Sequence, residues 1–463
     1  MRLILNNNEF EPDFMEIINM FFPVNEEHKE TIKMDYEILD NEIKSHILLQ
    51  NLDLNKEYDF VENKNIYQSS KTILKHCLYK ALSNYKNKEL PWGCLTGIRP
   101  TKLCYDLIKK GIKKLSLVNF LKNYYSVSED KAKLCLDIIQ NQQPLEQNDH
   151  LVDFYVNIPF CTTRCSYCSF ISAEIGKNEC LVKPYVDALL DEIESAKQII
   201  RDKHLIVKSV YFGGGTPTSL PTSELERILC ATCFGTDEFT VEAGRPDTIT
   251  REKLELLKKY NVSRISVNPQ SFNEKVLKAI GRNHTAKQTL DAFNMAREFG
   301  FQINMDLIAG LPKETLKSFK ENIDICMHLS PENITVHTLA LKRGSTFANE
   351  NADIFKKPLT EKMQEYAHEQ ITKNGYLPYY LYRQKNMVGN LQNIGYCKPK
   401  TKCDFNIDSM EETVSVLACG ANAISKRIFN LENRIERYAN CKDIKTYINK
   451  VPEINAQKKK LFD

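Results

Sequence analysis

The chain has 463 residues, of which 42% are hydrophobic and 27% are charged, which is typical of two or three globular domains and excludes wholesale disorder. Its 63 basic and 60 acidic residues give a formal charge of +3, so we expect neither a nucleic-acid partner nor a polybasic membrane binder. The sequence contains no apolar run long enough for a membrane span and no signal peptide, so we expect a cytoplasmic protein whose 15 cysteines stay mostly reduced.

The first part of the chain mixes strand and helix patterns, which predicts an α+β domain over residues 1–148. Residues 31–39 and 43–49 flank a short polar turn and predict a β-hairpin. Residues 90–103 contain two prolines, two glycines and the only tryptophan, Trp92. We interpret this segment as a connector with a buried aromatic anchor, and a ligand-facing loop is the alternative.

From residue 151 onwards, short apolar or β-branched runs alternate with helical runs six times. The six predicted strands cover residues 154–158, 207–212, 238–242, 262–267, 301–308 and 333–341. This alternation indicates a parallel sheet, and with this many units a barrel, which we place in a domain over residues 149–345. Residues 346–463 then form a smaller C-terminal domain expected to cover the substrate. Because active residues of such barrels lie at the carboxyl ends of the strands, side chains there are candidate site residues.

Three cysteines, Cys161, Cys165 and Cys168, follow the first predicted strand with C-x3-C-x2-C spacing. Three thiolates around a four-iron cluster leave one iron without a protein ligand, and that iron can bind a small molecule. A structural zinc site needs four ligands, and no fourth Cys or His lies at zinc-finger spacing. The spacing therefore favours an iron–sulfur cluster, with zinc and a distant fourth ligand, or three buried thiols, as the alternatives.

The cysteine motif lies in IPFCTTRCSYCSF and is followed, in this order, by YFGGGTPT, TVEAGRPD, NPQSF and MDLIAGLP. This series resembles the oxygen-independent coproporphyrinogen III oxidase family of radical S-adenosylmethionine (SAM) enzymes. The flanking stretches LTGIRPTKL, PYYLYRQKNMVGN and ACGANAISK resemble the HemZ-type branch of that family. The resemblance implies an α/β fold with a partial (β/α)6 barrel, a [4Fe-4S] cluster bound by the three cysteines, and SAM as the second cofactor.

The resemblance also assigns residues to SAM. It implies that the cofactor is contacted by Tyr155, Tyr167, Gly214, Gly215, Thr216, Glu242, Gln270, Arg282, Asp306 and Ala340. In the family, the glycine loop receives the methionine ammonium group, and the arginine receives the carboxylate. The two acids and the glutamine lie beside the ribose, the alanine contacts the adenine, and the tyrosines pack beside the cluster and the nucleoside.

The activity implied by the resemblance is the oxidative decarboxylation of coproporphyrinogen III to protoporphyrinogen IX in anaerobic heme biosynthesis. The partners would be this tetrapyrrole and a protein that donates electrons to the cluster. Because carboxylates bind well to fixed cations, candidates for the propionates are Arg99, Lys102, Lys342, Arg343 and Arg383. The alternatives are a heme chaperone and an enzyme that modifies the heme ring.

Two positions depart from the better-known oxidases of the family. Phe170 stands where those oxidases have a further cysteine, and Asn157 stands where they have a histidine. Neither change removes a cluster ligand, so both concern the substrate chemistry. A separate C-x2-C pair, Cys230 and Cys233, lies near a predicted helix end, and we expect these two thiols to be packing residues.

Overall fold

The computed structural model describes residues 1–22, 28–51, 54–97, 99–168, 173–340, 357–384 and 387–463. Among the residues that the sequence singles out, Phe170, Lys342 and Arg343 lie outside these ranges. The chain forms two compact units, which comprise Met1–Gln140 with Leu381–Gln392, and Asn141–Tyr380 with Asn393–Asp463. Within the described residues, none of the helices is long and apolar enough to cross a membrane.

The first unit contains a four-stranded sheet in the order β1-β2-β3-β4, with β1 parallel to β2 and the other pairs antiparallel. Its elements are β1 (Arg2–Leu5), α1 (Glu11–Phe21), β2 (Thr31–Ile38), β3 (Glu42–Gln50), β4 (Asn55–Asn63), α2 (Ser70–Lys86), α3 (Pro100–Lys109), α4 (Leu117–Tyr125) and α5 (Glu129–Asn141). The β2–β3 pairing confirms the predicted hairpin. Trp92 is fully buried and its indole N–H donates to Gln392 Oε1 at 3.0 Å, which confirms the buried aromatic anchor.

The second unit contains an eleven-stranded sheet in the order β13-β14-β12-β11-β10-β9-β8-β5-β15-β16-β17. Its strands are β5 (Leu151–Ile158), β6 (Phe160–Cys161), β7 (Ala173–Glu174), β8 (Ile206–Gly214), β9 (Glu238–Val241), β10 (Arg264–Ser266), β11 (Gln302–Ala309), β12 (Asn333–Thr338), β13 (Leu377–Tyr382), β14 (Asn393–Cys397), β15 (Ser415–Cys419), β16 (Ile424–Phe429) and β17 (Arg434–Ala439), of which β6 and β7 form a separate pair. Its helices are α6 (Glu179–Asp202), α7 (Thr222–Ala231), α8 (Arg251–Lys259), α9 (Glu274–Ala279), α10 (Ala286–Glu298), α11 (Leu316–Leu329), α12 (Lys357–Lys373), α13 (Asp404–Glu411) and α14 (Ile444–Phe462).

Strands β5, β8, β9, β10, β11 and β12 are adjacent in chain order and parallel throughout, which confirms the six predicted β/α units and the partial barrel. The sheet continues beyond them, with β14 antiparallel to β12 at one edge and β15 parallel to β5 at the other. Residues 393–463 therefore belong to the same compact unit as the barrel. The predicted domain boundaries at residues 148 and 345 stay predictions.

Side chains alternate between the two faces of the barrel strands. On β5, Phe154 and Val156 are fully buried apolar residues, whereas Tyr155 on the opposite face stacks on Tyr211 of β8 with ring centroids 6.2 Å apart. Phe405 lies against the same tyrosines, with its ring centroid 4.3 Å from that of Tyr211 and 5.8 Å from that of Tyr155. Most of the predicted site residues lie at or after the carboxyl ends of the barrel strands.

Candidate functional site

The three cysteines lie on the loop that follows β5. Cys165 is 8% exposed, Cys161 and Cys168 are half-buried, and none of them forms a disulfide. The loop is held by backbone hydrogen bonds, from Cys168 N to Cys165 O at 3.1 Å and from Ser166 N to Ile280 O at 3.1 Å. The loop therefore has a defined backbone that presents three reduced thiols.

Polar side chains face two of the three sulfurs, with Arg245 Nη1 3.8 Å from Cys165 Sγ and Thr216 Oγ1 3.5 Å from Cys161 Sγ. Such donors stabilise charged sulfur ligands.

The glycine loop at the end of β8 packs directly against the cysteine loop. Gly214 has a φ of +101°, and a Cβ there would lie 2.3 Å from Asn157 Oδ1. A Cβ on Gly215 would lie 2.5 Å from Phe160 O and 3.0 Å from Cys161 Sγ. Only glycine allows this approach. The amides of Gly215 and Thr216 donate to strand carbonyls at 2.7 Å, which is compatible with the predicted ammonium site, because an ammonium group needs acceptors.

Glu242 directly follows β9 and points its carboxyl group into the barrel. The Tyr211 hydroxyl donates to Glu242 Oε1 at 2.6 Å. Burial raises the pKa of Glu242 from its ordinary value of 4.5 to about 7, because the charged form loses its hydration. Glu242 therefore changes charge near neutral pH and can accept hydrogen bonds from polar ligand groups.

Asp306 lies on β11, where it accepts hydrogen bonds from Asn268 Nδ2 at 2.7 Å and Asn304 Nδ2 at 2.8 Å. The nearest cation-forming group is His337, whose Nε2 lies 3.7 Å from Asp306 Oδ2. Burial alone would raise the pKa of Asp306, but the hydrogen bonds and the interaction with His337 lower it below its ordinary value. Asp306 lies within its strand and not at its end, since β11 continues to Ala309, which pairs with β12.

Gln270 and Arg282 carry buried polar atoms without partners among the described residues. Gln270 has a φ of +62° and is 6% exposed, and its Oε1 accepts no hydrogen bond. Arg282 donates from Nη1 to Asn268 O at 2.6 Å and from Nη2 to the Tyr167 hydroxyl at 3.3 Å, while its Nε remains without a partner. A buried unsatisfied polar atom costs about 1–3 kcal/mol. Each such atom needs a partner from outside the chain, which is either an ordered water or a ligand.

The remaining predicted contacts lie on neighbouring strands. Tyr155 donates from its hydroxyl to Asn157 Oδ1 at 3.1 Å. Ala340 follows β12 and is half-buried. The structure thus brings residues from the ends of five strands to one end of the barrel, together with Asp306 from within β11. The individual contacts to SAM stay predictions.

One of the proposed substrate cations has another role. Arg383 is 5% exposed, and its guanidinium donates to Leu95 O and to Asn390 Oδ1 at 2.6 Å within the first unit. It also lies over the Trp92 ring, at 5.3 Å from the centroid. The expectation that Arg383 binds a propionate is therefore wrong, because the side chain is buried and its guanidinium is bound by acceptors of the first unit. Arg99 and Lys102 lie half-buried at the start of α3.

The second cysteine pair also differs from its prediction. Cys230 and Cys233 are both exposed, so the expectation that they pack inside the protein is wrong. Cys230 lies on the last turn of α7 and Cys233 follows that helix. Helix ends of this kind point outwards when the apolar face of the helix is occupied by other residues, here Leu225, Ile228 and Leu229.

The model of the radical SAM superfamily matches residues 155–326, which contain the cysteine loop and most of the strand-end residues. The chain is 37% identical over 398 residues to the oxygen-independent coproporphyrinogen-III oxidase-like protein HemZ of Bacillus subtilis, covering 83% of this chain and 79% of HemZ. The chain belongs to the HemZ-type family of radical SAM proteins. Its cofactors are accordingly a [4Fe-4S] cluster and SAM, and at a coarse level it is an oxidoreductase.

The chain is also similar to two other proteins, one in sequence and one in structure. The heme chaperone HemW of Bacillus subtilis is 36% identical over 202 residues, which are 42% of this chain and 52% of HemW. The structure of coproporphyrinogen III oxidase (HemN) from Escherichia coli matches with a TM-score of 0.53 and 22% identity, covering 70% of this chain and 73% of HemN. The likeness to HemN shows the shared fold, and it confirms the predicted barrel.

The structure adds site residues that the sequence interpretation left out. Tyr211 and Asn268 hold the two acids, and Arg245 and Asp247 contact the cysteine loop. The sequence could have indicated Tyr211, because it lies two residues before Gly213 in the glycine motif and therefore on the same face of the strand. Arg245 and Asp247 lie in the motif TVEAGRPD, but their spacing alone does not indicate a contact with the cysteines.

Proposed function

We propose that this protein oxidatively decarboxylates two propionates of coproporphyrinogen III to vinyl groups, which yields protoporphyrinogen IX. The similarity to the oxidase-like HemZ, which extends over most of the chain, supports this substrate class. The observation that supports SAM binding is the set of polar and acidic groups at the carboxyl half of the barrel, namely Gln270, Arg282, Glu242 and Asp306, of which Gln270 and Arg282 have buried atoms without protein partners among the described residues. A protein that donates electrons to the cluster is part of the proposal.

When bound, the cluster and SAM supply a carbon-centred radical that removes a hydrogen atom from the substrate. The chain contributes position and charge. Glu242 and Asp306 would accept hydrogen bonds from the ribose hydroxyls, and Arg282 has a free Nε to donate to a carboxylate.

Asn157 bears on the alternative of a heme chaperone. Its amide is 6% exposed, accepts from the Tyr155 hydroxyl and donates to Ala421 O at 2.6 Å. A carboxamide with both ends occupied does not bind heme iron as a histidine does. The position where better-known oxidases have histidine therefore acts here as a link between β5 and the end of β15.

The test is anaerobic incubation of the cluster-loaded protein with reductant, SAM, coproporphyrinogen III and an electron acceptor. We expect two CO2 and two consumed SAM per tetrapyrrole, because each vinyl group needs one hydrogen removal. Glu242→Gln should lower both yields together. Stoichiometric heme binding and transfer, with coproporphyrinogen left intact in the presence of a competent acceptor, would replace the oxidase proposal with the chaperone function.

A further inference from the structure

A buried arginine touches the cysteine loop from the turn after β9. Arg245 is 3% exposed, and its Nη1 lies 2.9 Å from Thr163 Oγ1 and 3.8 Å from Cys165 Sγ. The other edge of the guanidinium is bound by Asp247, with Nε and Nη2 each 3.0 Å from a carboxylate oxygen. This bidentate pair fixes the direction in which the guanidinium points.

Asp247 also reaches the cysteine loop. Its Oδ2 accepts a hydrogen bond from Thr162 Oγ1 at 3.1 Å. The pair of Arg245 and Asp247 thus binds the two threonines between the first and second cysteines, and it places the cationic partner next to sulfur. Arginine keeps its charge under all relevant conditions, and a charge about 4 Å from another interacts strongly when both are shielded from water.

The neighbouring imidazole does not add to this charge. His284 is 2% exposed, and burial together with the charges of Arg282 and Arg245 lowers its pKa to about 3. It is therefore neutral at physiological pH. Arg245 and Arg282 are the cations that face Cys165 among the described residues.

We propose that Arg245, oriented by Asp247, is a positioning residue that raises the reduction potential of the cluster through its contact with Cys165. Reduction adds one negative charge to the cluster, and a fixed positive charge beside a ligating sulfur stabilises the reduced form more than the oxidised form. The inference rests on the three cysteines as cluster ligands and not on the tetrapyrrole reaction. Its test therefore needs no substrate.

The experiment is a redox titration of the reconstituted protein, followed by electron paramagnetic resonance, without SAM or tetrapyrrole. In Arg245→Gln, which retains a hydrogen-bond donor but no charge, we expect full iron and sulfide content. At a fixed solution potential, the ratio of reduced to oxidised cluster should fall about tenfold, which for a one-electron couple is 59 mV. Arg245→Lys should restore most of this ratio, because it restores the charge.

The matched control is Arg251→Gln, since Arg251 is 59% exposed and pairs with Glu298 on the surface. The reduction potential of the cluster in this variant should equal that of the wild type. An unchanged potential in Arg245→Gln, or a shift in Arg245→Lys as large as in Arg245→Gln, would overturn the proposal. If Arg245→Gln takes up no cluster, the deciding variant is Asp247→Asn, in which the asparagine oxygen still accepts from the guanidinium and keeps it in place. Removal of that negative charge should move the potential upwards, and a downward shift or none would reject the electrostatic role.

Discussion

The two ends of the barrel are built from the same strands. They differ in how far the protein itself supplies hydrogen-bond partners for the polar side chains compared here. At the amino end, Glu238 accepts hydrogen bonds from the backbone amides of Asp404 and Phe405, both at 2.9 Å. Arg264 at the same end donates to Asn333 Oδ1 at 3.1 Å and to two backbone carbonyls. Glu238 and Arg264 therefore have partners from the protein itself, which makes this pair part of the stable scaffold.

The carboxyl end retains groups that the protein does not satisfy. Gln270 Oε1, Arg282 Nε and both ring nitrogens of His284 have no hydrogen-bond partner within the described residues. Glu242, which follows β9 at this end, has a raised pKa because of its burial. Buried polar atoms without partners cost stability, and those of Gln270, Arg282 and His284 lie in or beside the motifs that resemble a SAM site, where a bound ligand would complete them. Within one sheet, the residues compared at the amino end therefore contribute to stability, whereas those at the carboxyl end are available for cofactor binding.

The largest expected effect is the loss of the cluster in Cys165→Ala. This variant removes one of three sulfur ligands, and we expect iron and sulfide to fall to background in the purified, reconstituted protein. Cys403→Ala is the matched control, because Cys403 is a buried thiol at the amino end. It should keep full iron content. Full iron in Cys165→Ala would show that the ligand assignment is wrong.

Arg264→Met tests the amino end. It removes the buried guanidinium that lies 3.4 Å from the half-buried Glu238, and loss of one partner of a fully buried pair, which sets the upper limit here, costs about 3–5 kcal/mol. We expect urea unfolding to show this loss, while the folded variant binds SAM as the wild type does. A double variant with Glu238→Gln should recover part of the stability. A parallel loss of SAM affinity would contradict the division between the two ends.

The titration of Glu242 makes the free energy of unfolding depend on pH. Its pKa is raised to about 7 in the folded protein, so the folded state holds this proton more tightly than the unfolded state. Its contribution to stability is complete below pH 4.5 and is lost as the pH rises through 7. Relative to Glu242→Gln, the wild type should lose on the order of 3 kcal/mol over this range.

Urea unfolding of both proteins at several pH values without SAM measures this difference. The comparison with Glu242→Gln cancels the titration of other groups, including Glu314, whose pKa burial raises to about 8. A constant difference between pH 4.5 and 8 would show that Glu242 is not held in the protonated form.

The smallest of these effects concerns SAM affinity. Glu242→Ala and Asp306→Ala should each weaken SAM binding to the cluster-loaded protein by about 1.5–3 kcal/mol, which is roughly tenfold to a hundredfold. Equilibrium dialysis measures this affinity. Glu332→Gln is the control, because Glu332 is an acid at the amino end that binds Arg297 at 2.7 Å. Unchanged affinity in both alanine variants would reject the predicted ribose contacts.

Much of the fold was predictable from the sequence, because its signals are local. Each strand of the barrel is a short apolar run followed by a helical pattern, and six such repeats in order leave few topologies besides a parallel barrel. The cysteine spacing is also local, since Cys161 to Cys168 lie on one loop. The placement of the strand-end residues then followed from the rule that parallel strands share one carboxyl end.

What the sequence by itself determined is therefore the order of the units and the residue types at the strand ends. The tertiary structure alone decided which of them touch. Arg245 contacts Cys165, which lies 80 residues earlier in the chain. Arg383 donates a hydrogen bond to Leu95 O, which lies 288 residues earlier. Such contacts depend on strand register and loop path, which bring distant segments together, and local periodicity holds no information about either. The same reason applies to Cys230, whose exposure depends on which helix face the sheet buries.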